Sequence, residues 1–172
     1  ILLPMVLIVM QRETGSALVY LAFFFMLYRE GMPGSILFAG VCAVVYFVVG
    51  IKFGQDLMPD GCTPMGEFIV FTLITLWSAS LVYAYCEKKD AVWKILLYHG
   101  GSILLALLFS IYVIPFNLVY FLYLECLGLV VYLLYLSLHE RVMHYFYIAL
   151  FAIGSVGFLY SADYVFQDIL EP

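Results

Sequence analysis

An all-α bundle of membrane-spanning helices is the fold this sequence predicts, and three observations predict it. Of its 172 residues, 66% are hydrophobic and only 11% charged, against about 45–50% apolar and about 25% charged in a soluble domain. The apolar residues fall into runs close to the roughly 20 that a helix needs to cross the hydrocarbon core of a bilayer. Those runs are apolar all round, as lipid-facing helices are, and lack the alternation over about 10 residues that marks a membrane β-strand.

Seven spans follow in order, with the first truncated. Residues 1–10 open inside an apolar run with no charged leader before it, so the chain is expected to be a fragment of a longer protein, one integral-membrane region over 1–172. Residues 14–28 form the second span and end at the Arg29-Glu30-Gly31 turn. The third, 33–53, starts at Pro33-Gly34 and closes before a polar loop, 54–64, which Pro59 and Pro64 punctuate. Residues 65–86 make the fourth. A charged loop, 87–91, holding the EKKD run, leads to the fifth, 92–114. Pro115-Phe116-Asn117 turns the chain into the sixth, 117–138, and His139 to Arg141 lead to the seventh, 142–160. Proline fits at these boundaries because it cannot continue a helix from the preceding turn.

Orientation follows from Lys and Arg, which favour cytoplasmic loops. One set of alternate loops and span ends carries Arg29, Lys88, Lys89, Lys94 and Arg141; the other carries Arg12 and Lys52. The first set is therefore placed in the cytoplasm, with residues 11–13, 54–64, 115–117 and the C-terminal stretch outside. The net charge of −5, with scattered basic residues, gives no nucleic-acid surface and no polybasic lipid patch. Cys42, Cys62, Cys86 and Cys126 have no paired spacing; only Cys62 stands in polar sequence, and no disulfide is expected.

Polar residues at membrane depth need a reason. Glu125, in YFLYLECLGLV, is the one carboxylate well inside a span and a candidate intramembrane polar site. It would serve as a proton site or a polar contact in a cavity. The blander reading, which is preferred, is a neutral hydrogen-bonded Glu facing a neighbouring helix or reaching the outer interface. His99 falls near the cytoplasmic end of the fifth span, before Gly100-Gly101-Ser102, where small residues permit close approach and the ring could hydrogen-bond across it. No further ligand stands at i+3 or i+4, so no metal is expected. His139 and His144 read as interfacial, and Tyr28, Tyr83, Tyr85 and Tyr160 as an aromatic belt. No phosphate-cradling loop, HExxH or nucleophile elbow occurs, and no motif names a cofactor.

The turn at Gln11, Arg12 and Glu13 separates two apolar runs without Gly or Pro, and Gly15, Ser16 and Ala17 follow directly. Glu13 at a helix start suits the positive end of the dipole, and small residues let a backbone or a ligand come close. The segment LIVMQRETGSALVYL resembles the "LI…QPDLGTA" segment of the RodA/FtsW (SEDS) peptidoglycan polymerases. Gln11, Gly15 and Ala17 match, Glu13 keeps the charge of the Asp, and Ser16 replaces the Thr; Arg12 and Thr14 depart from Pro and Leu. ADYVFQDILEP, at the C-terminal end, is similar to the stretch entering that family's large extracytoplasmic loop. The likeness is nearer the RodA side. Six spans lie between the two segments instead of the usual two, so two inserted hairpins would make this a long variant, of Bacteroidetes type.

This resemblance implies a glycosyltransferase of the bacterial cytoplasmic membrane that polymerises lipid II into glycan strands for cell elongation, with a class B penicillin-binding protein as partner and membrane lipids around it. Gln11, Arg12, Glu13, Gly15 and Ser16 would then border the lipid-substrate cavity. The family's catalytic Asp would come after Pro172, leaving no catalytic residue in this chain. A multi-pass transporter or lipid flippase, its path lined by Glu13 and Glu125, is the alternative.

Overall fold

The computed structural model describes Met26, Arg29, Gly31 and residues 34–54, 56–112 and 116–164. The chain divides into two compact units, Ile1–Val44 and Val45–Pro172. In the first, Met26 and Arg29 are helical, Gly31 is in a turn at φ 105°, and a helix begins at Gly34. That helix, α1 (Gly34–Phe53), runs on into the second unit. There it is followed by α2 (Met65–Cys86), α3 (Lys89–Tyr112), α4 (Leu118–Glu140) and α5 (Met143–Tyr164).

The architecture is all-helical among the described residues, and α2 to α5 are long and apolar enough to cross a membrane. Within α1 the apolar stretch is shorter, Gly34–Gly50. These five helices coincide with the third to seventh expected spans. The first two spans, apart from Met26, lie outside the described residues, as do Pro115 and the segment after Tyr164; Arg29, expected in the turn after the second span, is helical.

Local chemistry sets the helix ends. Pro64 precedes α2 in extended conformation, with Glu67 in the first turn complementing the helix dipole. α4 is capped by Asn117, whose side chain accepts from the Val119 amide at 2.9 Å. Glu87 and Arg141 end α2 and α4 in the left-handed conformation, at φ 52° and 56°, so each closes its helix without the usual glycine. One boundary differs from expectation. The loop expected over 87–91 is only Glu87-Lys88, because α3 starts at Lys89 with Asp90 in its first turn. An acid there is favourable at the dipole's positive end, and lysine stems extend along an apolar helix.

α2 touches α3, α4 and α5, and α4 also packs against α3 and α5. The buried face of α2 runs through Gly66, Val70, Ile74, Ser78 and Val82; that of α3 through Ala91, Ile95, His99, Ala106 and Ser110. The opposite faces are bare hydrocarbon: Leu97 and Leu105 on α3 are 69% and 70% exposed, which suits contact with lipid. Gly66 is needed where α2 meets the end of α1. A Cβ there would lie 3.2 Å from the Phe53 carbonyl carbon and the Gly54 nitrogen, both main-chain atoms.

The two short turns lie at one end of the bundle. Lys88 forms an ion pair with Glu140, and an aliphatic layer including Val82, Ile95, Leu133 and Ile148 lies inside it. At the other end the 54–64 loop, held by a bridge between Leu57 and Pro64, meets the start of α4. Alternate connections thus share an end, as the loop parity requires.

Candidate functional site

The buried carboxylate expected at Glu125 finds its partner across the bundle. On α3, His99 lies on the face shared with Ile95 and Ala106; on α4, Glu125 lies on the face shared with Leu122 and Leu129. His99 Nδ1 and Glu125 Oε1 are 2.6 Å apart, and the two side chains are only 8% and 5% exposed. Two groups in an apolar interior pair at this distance because a lone ionisable group there is costly. His99 Nε2 and Glu125 Oε2, both buried, have no hydrogen-bond partner among the described residues.

His99 is not at the end of its helix, as its place in the fifth span suggested. It stands ten residues beyond Lys89, near the middle of α3. Nor do its small neighbours make the close contact. Gly100 and Gly101 are exposed with open space around them, while the Ser102 hydroxyl donates to the His99 carbonyl at 3.0 Å. The expected hydrogen bond from His99 across a helix contact is present, with Glu125 as its acceptor or donor.

Chemically, the pair can hold one proton at zero net charge. With the proton on the ring it is an ion pair; with it on the carboxyl it is a neutral hydrogen bond. The same seam carries a cavity of about 370 Å³, lined by Lys94, Ile95, Tyr98, Gly128, Leu129 and Tyr132. Its inner wall, Ile95 and Leu129, is one helical turn from His99 and Glu125 on their own helices, towards the end that carries Lys88. The Tyr98 hydroxyl lies over Gly128, 3.4 Å from where a Cβ would sit.

A second polar cluster closes the opposite end. Asp60 Oδ1 accepts from the amides of Cys62 and Thr63, each at 3.2 Å, and Oδ2 accepts from the Thr63 hydroxyl at 2.5 Å. The Ser110 hydroxyl lies 3.5 Å from the same Oδ2 and 3.3 Å from the Phe116 carbonyl oxygen. Thr63, fully buried, accepts in turn from the Leu118 amide at 3.0 Å. Burial opposes ionisation of Asp60, but the donors from Thr63, Cys62 and Ser110 outweigh it and hold the carboxyl below its ordinary value. The cluster ties the 54–64 loop to the start of α4, a structural task.

The remaining polar groups are interfacial. His139 stacks on Tyr135 with ring centroids 5.6 Å apart, and His144 on Tyr85 at 5.9 Å. Cys62 is exposed, Cys86 half-buried, and Cys42 and Cys126 buried, all as free thiols. Among the described residues no three His, Cys, Asp or Glu side chains gather as a metal site. Gln11, Arg12, Glu13, Gly15 and Ser16 lie outside the described residues.

Sequence reasoning treated His99 and Glu125 separately. One signal links them in part: Thr75, Ser78, His99, Ser110, Glu125 and Ser155 lie on inward faces of α2 to α5, although Ser80 and Ser161 on the same helices are exposed and donate to their own helix backbone. In comparisons with protein-family models, curated proteins and solved structures, the chain matches none.

Proposed function

We propose that this chain is membrane-embedded scaffold of a RodA/FtsW-type glycosyltransferase, which polymerises lipid II on the outer face of the bacterial cytoplasmic membrane beside a class B penicillin-binding protein. The observation that carries the reading is the segment LIVMQRETGSALVYL, with Gln11, Glu13, Gly15 and Ala17 at the positions of the family's own motif. Four helices able to cross a bilayer are the setting such an enzyme needs. In this reading Gln11, Arg12 and Glu13 border the lipid-substrate cavity, Gly15 and Ser16 allow the substrate close approach, and the catalytic Asp comes after Pro172.

The test is polymerisation of lipid II by the full chain and its transpeptidase partner, with Glu13→Ala and Glu13→Asp beside the wild type. Glycan strands from the wild type and from Glu13→Asp, with loss in Glu13→Ala at equal expression, support the reading. Equal activity in all three leaves Glu13 a helix cap only, and no strands from any of them removes the polymerase. A transporter or flippase remains the second reading because His99 and Glu125 pair at membrane depth. It predicts substrate movement across proteoliposomes that stops in Glu125→Gln.

A further inference from the structure

Five buried polar side-chain atoms lack a partner among the described residues, Ser78 Oγ, His99 Nε2, Glu125 Oε2, Glu140 Oε2 and Tyr145 Oη, and two of them share one site. His99 Nε2 and Glu125 Oε2 are those two, and leaving a buried polar atom unmatched is costly. They belong to the one ionisable pair bridging α3 and α4, 2.6 Å apart. A half-open pocket of about 370 Å³ lies in the same seam one turn away, and a water needs only about 10–15 Å³ of such space. That cavity is not purely apolar: Lys94, Tyr98 and Tyr132 line it, so water finds hydrogen-bonding groups there.

We propose that His99 and Glu125 form a proton-binding site within the bundle, exchanging protons with water that enters through the α3–α4 cavity. The exchange balances. Starting from the ion pair, hydronium delivers a proton to Glu125 Oε2, and the ring gives up its Nε2 proton to another water. The products are a neutral carboxyl and a neutral imidazole that keeps its Nδ1 proton, again at zero net charge. The reverse sequence restores the ion pair. No reactant but water is needed, and both atoms without partners are used.

Few other charges bear on the site. The buried face of α2 presents Thr75 and Ser78, and that of α5 presents Ala149, Ala152 and Ser155, with the one titratable group on that face, Tyr145, beside Cys86 and Glu140 at the end of the bundle that carries Lys88. On α4 the Cys126 thiol stands beside Glu125. The remaining ionisable groups, Lys94, Tyr98 and Tyr132, belong to the cavity. The proposal is independent of whether the chain polymerises a lipid-linked sugar.

Hydrogen–deuterium exchange tests it, with the full chain in bilayers labelled with ¹⁵N-histidine and ¹⁵N amides and read by solid-state NMR. His99→Gln identifies the His99 signal, and the exposed His139 and His144 serve as references. The His99 ring protons are expected to exchange at least ~100-fold faster than the amides of the fully buried Val70 and Leu133. Gly128→Leu, which fills the cavity, should slow ring exchange ~10-fold or more without changing those amides. Glu125→Gln, which keeps a hydrogen bond but cannot carry the proton, should slow it too. Wild-type ring protons as protected as the buried amides would overturn the proposal, as would ring exchange unaffected in a folded Gly128→Leu.

Discussion

The His99–Glu125 pair makes a prediction about stability that geometry alone fixes in sign. Glu125→Leu removes the hydrogen bond at 2.6 Å and strands a ring that is 6% exposed as a residue. A side-chain hydrogen bond inside a membrane bundle contributes about 0.6 kcal/mol on average and about 1.7 at most. Leaving its buried partner unsatisfied adds about 1–3 kcal/mol. Each of His99→Leu and Glu125→Leu is therefore expected to destabilise by about 2 kcal/mol. Replacing both by leucine leaves no stranded group and fills similar volume, a change that is neutral or even stabilising elsewhere. The double variant should fall within about 1 kcal/mol of the wild type, a coupling of about 3 kcal/mol. Reversible unfolding in mixed micelles, run as a double-mutant cycle, measures it. Single-variant effects that add within about 0.5 kcal/mol, as for independent sites, would refute the reasoning.

Asp60 should make the 54–64 loop acid-sensitive. Its folded-state carboxyl is held below the ordinary value, so its stabilising contribution is present above the unfolded value and is lost as pH falls through the folded one. Exchange of the Cys62 and Leu118 amides, corrected for intrinsic pH dependence, should rise in that acid window in the wild type and be fast at every pH in Asp60→Ala; a pH-independent ratio between the two would contradict this. Gly66→Ala places its Cβ 3.2 Å from main-chain atoms of Phe53 and Gly54, which cannot swing aside as a side chain would. It should destabilise by about 1–3 kcal/mol by thermal unfolding. Asn117→Ala removes the cap on Val119 and should cost about 1 kcal/mol, against a few tenths for Asn117→Gly.

Helix count and placement over 34–164 were legible because span length and proline punctuation are local signals. α2 begins after Pro64 and ends at Cys86 as expected. The start of α3 was not, since Lys89 and Asp90 read as loop by charge although Asp90 suits the positive end of a helix dipole and the Lys89 stem can lie along an apolar helix. The pairing of His99 with Glu125 was hidden for a geometric reason. At 1.5 Å rise per residue, His99 lies about 16 Å from Ser110 and Glu125 about 10 Å from Leu118, two positions near the same end of the bundle. Counting from those two positions therefore gives no sign that the two residues meet. The Asp60 cluster joins positions 50 and 55 residues apart, beyond any local pattern. The inward face of α3, Ile95-His99-Ala106-Ser110, carries two polar residues at helical spacing, though the uniform hydropathy of the helix obscured it.

Both functional readings stand on helices that cross a bilayer with the 54–64 loop and the 87–88 turn on opposite faces. Single-cysteine variants retaining only Cys62 or only Cys86, labelled with an impermeant maleimide in intact cells and in inverted vesicles, measure this directly. Cys62 is exposed in the loop, and Cys86 is the last residue of α2. The account predicts labelling of Cys62 from outside the cell and of Cys86 only from the cytoplasmic face. Labelling of both from one face would contradict it.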